Sequence, residues 1–130
     1  MLLRNNFQNN YKTVKTAASL AVSNSFELII MLHDRLEEEI NSLIHFIQVK
    51  DFHNKAISGQ KCIDILIALQ SSLDLDSKED LILNVYSLYD YCLNTIYQSS
   101  VSMEHGELKE MISILNDLKE GWSAINEQVQ

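Results

Sequence analysis

The sequence predicts an all-α fold, an antiparallel up-and-down four-helix bundle with a short N-terminal arm or helix. Three observations carry that expectation. There is no proline and there are only three glycines, so the usual punctuation of β turns is missing and long stretches are free to be helical. Apolar residues recur at spacings of three and four in four successive segments. A polar residue able to cap a helix stands before each of these segments. With 130 residues and 46% apolar content, one compact domain with one core is expected. Its bundle would span residues 24–127, preceded by an arm over residues 1–23.

The first segment is expected from Phe26 to Ile47, with Asn24 as N-cap and Glu27 three residues later, the spacing of a capping box. Leu28, Ile29, Leu32, Leu36, Ile40 and Leu43 share one face, with His33 at its edge. The second segment, Phe52 to Leu73, follows Asp51 as cap. Its core side holds Ala56, Ile63, Leu66 and Ile67, and Cys62, Ile65, Leu69 and Leu73 widen the apolar arc to about 200°. The third, Glu79 to Ser99, follows the polar patch SSLDLDSK, where Ser77 or Asp76 is the expected cap. Leu81, Val85, Leu88, Cys92 and Ile96 form its seam, and Ile82, Tyr86, Tyr89, Leu93 and Tyr97 lie beside it. The fourth, Met103 to Asn126, starts after Ser102 and shows the narrowest stripe: Leu108, Met111, Leu115, Leu118, Trp122 and Ile125.

Helices of about 20 residues, each ~30 Å long and joined by short loops, must run as antiparallel neighbours. Ahead of them, NNFQNNYKTVKT places Phe7, Tyr11 and Val14 so that one helical turn can dock all three on the bundle, or the arm is disordered. The wide arcs of the second and third segments leave two readings open. Either they form a groove that something else fills, or these helices are central and covered on two sides within the monomer. Tyrosine suits a groove, since its ring can be buried while its hydroxyl stays wet.

Composition narrows function by exclusion. Eighteen acidic against 10 basic residues give a formal charge of −8, which repels phosphate backbones and anionic headgroups. Neither nucleic acid nor a membrane surface is an expected partner. No apolar run approaches the ~18 residues of a membrane span, and MLLRNNFQNNYK lacks a signal-peptide core, so a cytoplasmic chain is expected. Cys62 and Cys92 show no metal or CxxC spacing and are expected as reduced core residues. No histidine has a glutamate three residues before it, as a di-iron bundle requires, and no cofactor is implied. His53 with Lys55, and His105 with Gly106, are imperfect matches to a phosphotransfer bundle. His33 and Asp34 diverge by about 100° on a helix and cannot form a dyad with each other. Nothing in the chain argues for catalysis.

The stretches ELIIMLHDR, SSLD, LYDYC and LNDLKEGW occur in that order. This pattern resembles the flagellin-specific export chaperones of the FliS family, with their ELI-x-MLYDG helix, SLD turn, LYDYM helix and terminal L-x-x-LR-x-AW. NNYK, with Tyr11, echoes the family's Ala-Tyr-Lys arm, and the likeness extends from Asn10 to Trp122. It departs at His33, where the family usually has tyrosine, at Arg35, where it has glycine, and at Ser77 and Lys78, where a glycine pair is common. The positions carried by matching motifs are Tyr11, Leu28, Ile29, Met31, Leu32, Asp34, Leu73, Asp74, Leu88, Tyr89 and Asp90.

The resemblance implies a cytoplasmic chaperone that binds the disordered C-terminal segment of flagellin, prevents premature polymerisation and delivers it to the flagellar export gate. Within that reading, periodicity nominates Ile65, Leu69, Ile82, Tyr86, Leu93 and Tyr97 as client contacts, and Phe7 and Tyr11 as a lid. Exposed apolar stripes would also allow a groove-to-groove homodimer. The alternative from another class is a signalling or adaptor bundle that presents a surface histidine or binds a regulatory protein.

Overall fold

The computed structural model of the chain describes residues 25–129. The arm, its lid residues Phe7 and Tyr11, and the expected cap Asn24 lie outside the described residues. Among the described residues four α-helices follow one another: α1 (Ser25–Gln48), α2 (Phe52–Ser71), α3 (Asp80–Ser102) and α4 (Gly106–Val129). A short 3-10 turn, Leu75–Ser77, precedes α3. The all-α bundle expected from periodicity is the one observed. α1 packs along both α2 and α4, α2 packs along α3, and α3 and α4 meet over a shorter seam.

The helix ends show which local signals operate. At α2, Asp51 caps as expected: its carboxylate accepts the Asn54 backbone N–H at 3.1 Å and the Asn54 side-chain amide at 2.7 Å. These bonds hold the Asp51 carboxyl below its usual pKa. At α3 the cap position is Glu79, whose side chain makes no capping bond. Ser77, one of the two expected caps, instead accepts from the Glu79 backbone N–H at 3.3 Å, while Asp74 caps the 3-10 turn through Asp76 N. α4 begins at Gly106 rather than Met103, because Met103 is the left-handed residue that ends α3, with φ 60°.

Lys50 and Lys78 share that left-handed conformation, with φ of 58° and 55°. Each of these three residues ends a helix or turn where glycine would be unstrained. The glycine common at Lys78 in the resembled family thus has a conformational reason.

The core takes one face from each helix: Leu36, Ile40 and Leu43 of α1, Leu66 and Leu69 of α2, Ile96 of α3, and Leu108 and Met111 of α4 are fully buried. Cys62 and Cys92 are free thiols in this core, and burial pushes each up to about 12. α2 and α3 are in contact near Gly59, where an added Cβ would lie at an ordinary 3.7 Å from Ser100 Oγ. Nearby, Lys55 Nζ donates to the Ser100 carbonyl at 2.9 Å, closing the last turn of α3. Among the described residues, no helix is long and apolar enough to cross a membrane.

Candidate functional site

Two features stand out, one inside the bundle and one on its surface. Inside, three sequence landmarks meet. His33 of α1, Tyr89 of α3 and Trp122 of α4 form a buried hydrogen-bonded chain, with His33 Nε2 at 2.8 Å from Tyr89 Oη and Trp122 Nε1 at 3.2 Å. The indole N–H can only donate, so Tyr89 Oη accepts from it, and the hydroxyl still has both its hydrogen and a second lone pair for His33 Nε2, so the direction of that bond follows the imidazole tautomer. A neutral imidazole serves that bond in either direction. Burial enforces the same state: desolvation lowers the His33 pKa to about 4, against a smaller upward pull from Asp34 and a further downward push from Lys119. Desolvation also raises the Tyr89 hydroxyl, with the Trp122 bond opposing it. The His33 and Tyr89 rings lie 5.8 Å apart between centroids, and Phe26 sits 6.1 Å from Trp122. On the adjoining surface Lys119 Nζ pairs with Asp34, joining the first and last landmarks again.

This geometry corrects two expectations. His33, placed at the edge of the core face, is 3% exposed and belongs to the interior. Tyr89, placed beside the seam of α3, is fully buried, while Leu81 is exposed and Leu88 half-buried. The inward face of α3 is therefore Val85, Tyr89, Cys92 and Ile96, rotated from the expected seam. Among the described residues, no group of three His, Cys, Asp or Glu side chains is arranged to hold a metal ion.

On the surface, α2 and α3 leave apolar side chains along the outer edge of their shared seam. Gln70 of α2 reaches the Tyr86 carbonyl of α3 at 3.3 Å, which fixes the two helices side by side. The flank of α3 that faces this seam carries Ile82, Tyr86 and Leu93, all half-buried, and Tyr97, 62% exposed. The matching flank of α2 carries Ile63, half-buried, and Ile67, 46% exposed. At one end the seam opens into a cavity of about 400 Å³ lined by Gln70, Leu73, Asp74, Leu75 and Tyr86, among others.

Of the six expected contact residues, four lie on this seam and two do not. Ile65 is 5% exposed and Leu69 fully buried, so both hold the bundle together rather than face a partner. Ile67, assigned to the core, takes their place on the surface, and Ala56 is exposed as well. The arc of α2 was wide enough to hide which edge turned inward. Small residues were the available signal: Ser58, Gly59 and Cys62, all buried, mark the side that the neighbouring helices approach.

The motif positions divide along the same lines. Leu28, Ile29, Leu32 and Leu73 are core, and Met31 is half-buried against it. Asp34 pairs with Lys119, Asp74 caps the 3-10 turn, and Asp90 is exposed on α3.

Comparison with known proteins agrees with these landmarks. A family model described as "Flagellar protein FliS" matches residues 7–129. The "Flagellar secretion chaperone FliS" of Vibrio cholerae is 27% identical over 118 residues, covering 88% of this chain and 85% of the relative. The protein of the same description from Escherichia coli is 23% identical, covering 86% of this chain and 83% of the relative. The "Flagellar secretion chaperone FliSB" of Pseudomonas aeruginosa is 25% identical, covering 89% and 92%. A match of this extent, on a helical bundle whose family landmarks converge in space, shows that the chain belongs to the FliS family of flagellar secretion chaperones, not to a family of enzymes.

Proposed function

We propose that this chain is a cytoplasmic flagellar export chaperone that holds the disordered C-terminal segment of flagellin as amphipathic helix in the α2/α3 seam, keeps it from polymerising early and passes it to the export gate. The observation that carries this reading is the row of outward apolar side chains on that seam, Ile63 and Ile67 facing Ile82, Tyr86, Leu93 and Tyr97. A helix of about 20 residues spans ~30 Å and can follow most of the length of the α2/α3 pair. Ordering a disordered client costs free energy, which apolar burial at ~25 cal/mol per Å² offsets. Tyr86 and Tyr97 fit such a contact because each can bury a ring against the client and keep its hydroxyl at the wet edge. In the same proposal, residues 1–23, with Phe7 and Tyr11, form a lid that the client displaces from a bundle spanning residues 24–127.

The test is co-expression with flagellin followed by pull-down, repeated with flagellin lacking its last ~40 residues, about two helices of ~30 Å. Capture of the full client and loss of the shortened one are expected. A second arm uses Ile67→Glu, which places a charge on the seam without touching the core. Equal capture by wild type and Ile67→Glu would refute this surface as the client site.

A further inference from the structure

The outward row of α3 reads Tyr86, Asp90, Leu93, Tyr97, at helical spacings of four, three and four. A carboxylate therefore stands in the middle of an otherwise apolar stripe. Asp90 is exposed and takes no part in the ion pairs Arg35–Glu39 and Lys119–Asp34. Its side chain also makes no hydrogen bond among the described residues. The facing helix brings no cation to it: Asp64, exposed next to Ile63, accepts from Gln60 at 2.9 Å, Lys55 is committed to the Ser100 carbonyl, and Lys61, exposed one position before the buried Cys62, makes no ion pair with Asp90. Laying a purely apolar helix over this row would strip water from a carboxylate and give it nothing in return, a penalty that the surrounding apolar contacts do not cancel.

We propose that Asp90 is a specificity-determining residue: the helix that fills the seam presents a lysine or arginine to it, with apolar residues three or four positions away on each side to meet Tyr86 and Leu93. The inference rests on the α2/α3 seam being the client site, and it adds what the client must carry. Arginine or lysine suits the place because its aliphatic stem packs on the apolar wall while its charged head reaches the carboxylate. A client lacking that cation, or carrying an acid there, is rejected by the unpaired charge.

The test uses three labelled synthetic amphipathic peptides of about 20 residues, identical except for a central Lys, Gln or Glu, titrated with the full chain by fluorescence anisotropy. The Lys peptide should bind about tenfold tighter than the Gln peptide. Asp90→Asn should erase that preference, and Asp90→Lys should invert it in favour of the Glu peptide. Asp117→Asn, on the exposed side of α4, removes the same charge away from the seam and should leave the preference intact. Persistence of the preference in Asp90→Asn, equal loss in Asp117→Asn, or failure of all three peptides to bind would overturn the proposal.

A flagellin C-terminal fragment run in parallel separates this proposal from the reading it rests on. Peptide discrimination through Asp90 without fragment binding would refute flagellin as client and leave the recognition rule standing. Fragment binding that Ile67→Glu abolishes and Asp90→Asn does not change would refute the rule and leave the client site standing. If Lys12→Gln/Lys15→Gln in the chain's own N-terminal arm abolishes the Asp90 effect, the carboxylate serves the arm, and the proposal fails.

Discussion

Acidifying the protein from pH 7 to pH 4 should cost it about 3 kcal/mol through one side chain, His33. Burial lowers the His33 pKa from its ordinary 6.5 to about 4, so the folded chain keeps a neutral imidazole in a range where the unfolded chain takes up a proton. The sign follows directly. The neutral form is the one the fold favours, so its contribution is complete above pH 6.5 and is lost as the pH falls toward 4. The loss approaches about 1.4 kcal/mol per pH unit, which accumulates to about 3 kcal/mol across that window. The charges facing the ring are Asp34 on its own helix and Lys119 on α4, which act in opposite directions.

Urea unfolding at half-unit steps of pH, on wild type and on His33→Gln, isolates this contribution. Carboxylate titrations are common to both proteins and cancel in the difference, while glutamine keeps a polar side chain that does not titrate. At pH 7 the variant should be the less stable, because it loses the bond to Tyr89. As the pH falls the wild type should lose about 3 kcal/mol relative to the variant. Parallel stability curves between pH 6.5 and pH 4 would show that the ring is not desolvated, and the reasoning would fail.

Other substitutions probe the remaining parts of the argument. Lys78→Gly should raise stability by roughly 0.5–1 kcal/mol, seen as a higher melting temperature, because Lys78 holds a left-handed φ of 55°; a lower melting temperature would contradict the strain. Asp51→Ala should cost about 1 kcal/mol in urea unfolding through loss of the α2 cap, and an unchanged midpoint would mean that the two bonds to Asn54 contribute nothing net. Leu69→Ala should destabilise by about 2–5 kcal/mol, whereas Tyr97→Glu should leave thermal unfolding nearly unchanged and weaken flagellin capture. The reverse pattern would exchange the roles of core and seam.

The helices and their antiparallel order were legible because spacings of three and four, caps and short connections are local signals. Asp51 capped where its position before Phe52 predicted. The faces of α2 and α3 were less legible for a physical reason: when both edges of an arc are apolar, periodicity fixes its width and not its centre. Ile65 and Leu69 were thereby assigned outward and Ile67 inward, the opposite of their burial in the bundle. His33 was hidden in another way. Its partner Tyr89 lies 56 residues along the chain, and no local pattern announces a hydrogen bond of that separation. The family landmarks compensated in part, since residues 33, 89 and 122 all fall inside the stretches that resemble the family, although His33 itself departs from the motif.

The pairing of α1 with both α2 and α4 has a consequence for the order in which the chain assembles. α1 and α2 are joined by a three-residue connection, Val49–Asp51, and can pack as soon as both have been synthesised, with α3 following on α2. α4 is made last and must return to α1, the most distant pairing in the sequence. Translation at about 5–20 residues per second leaves seconds between the first hairpin and that closure. Until α4 docks, His33 and Tyr89 lack the cover that Trp122 and the wall of α4 give them in the folded chain. Closure of α4 is thus the event that dries the interior polar chain and commits the histidine to its neutral form. Acid should accordingly slow the final step of folding more than the formation of the α1–α2 hairpin.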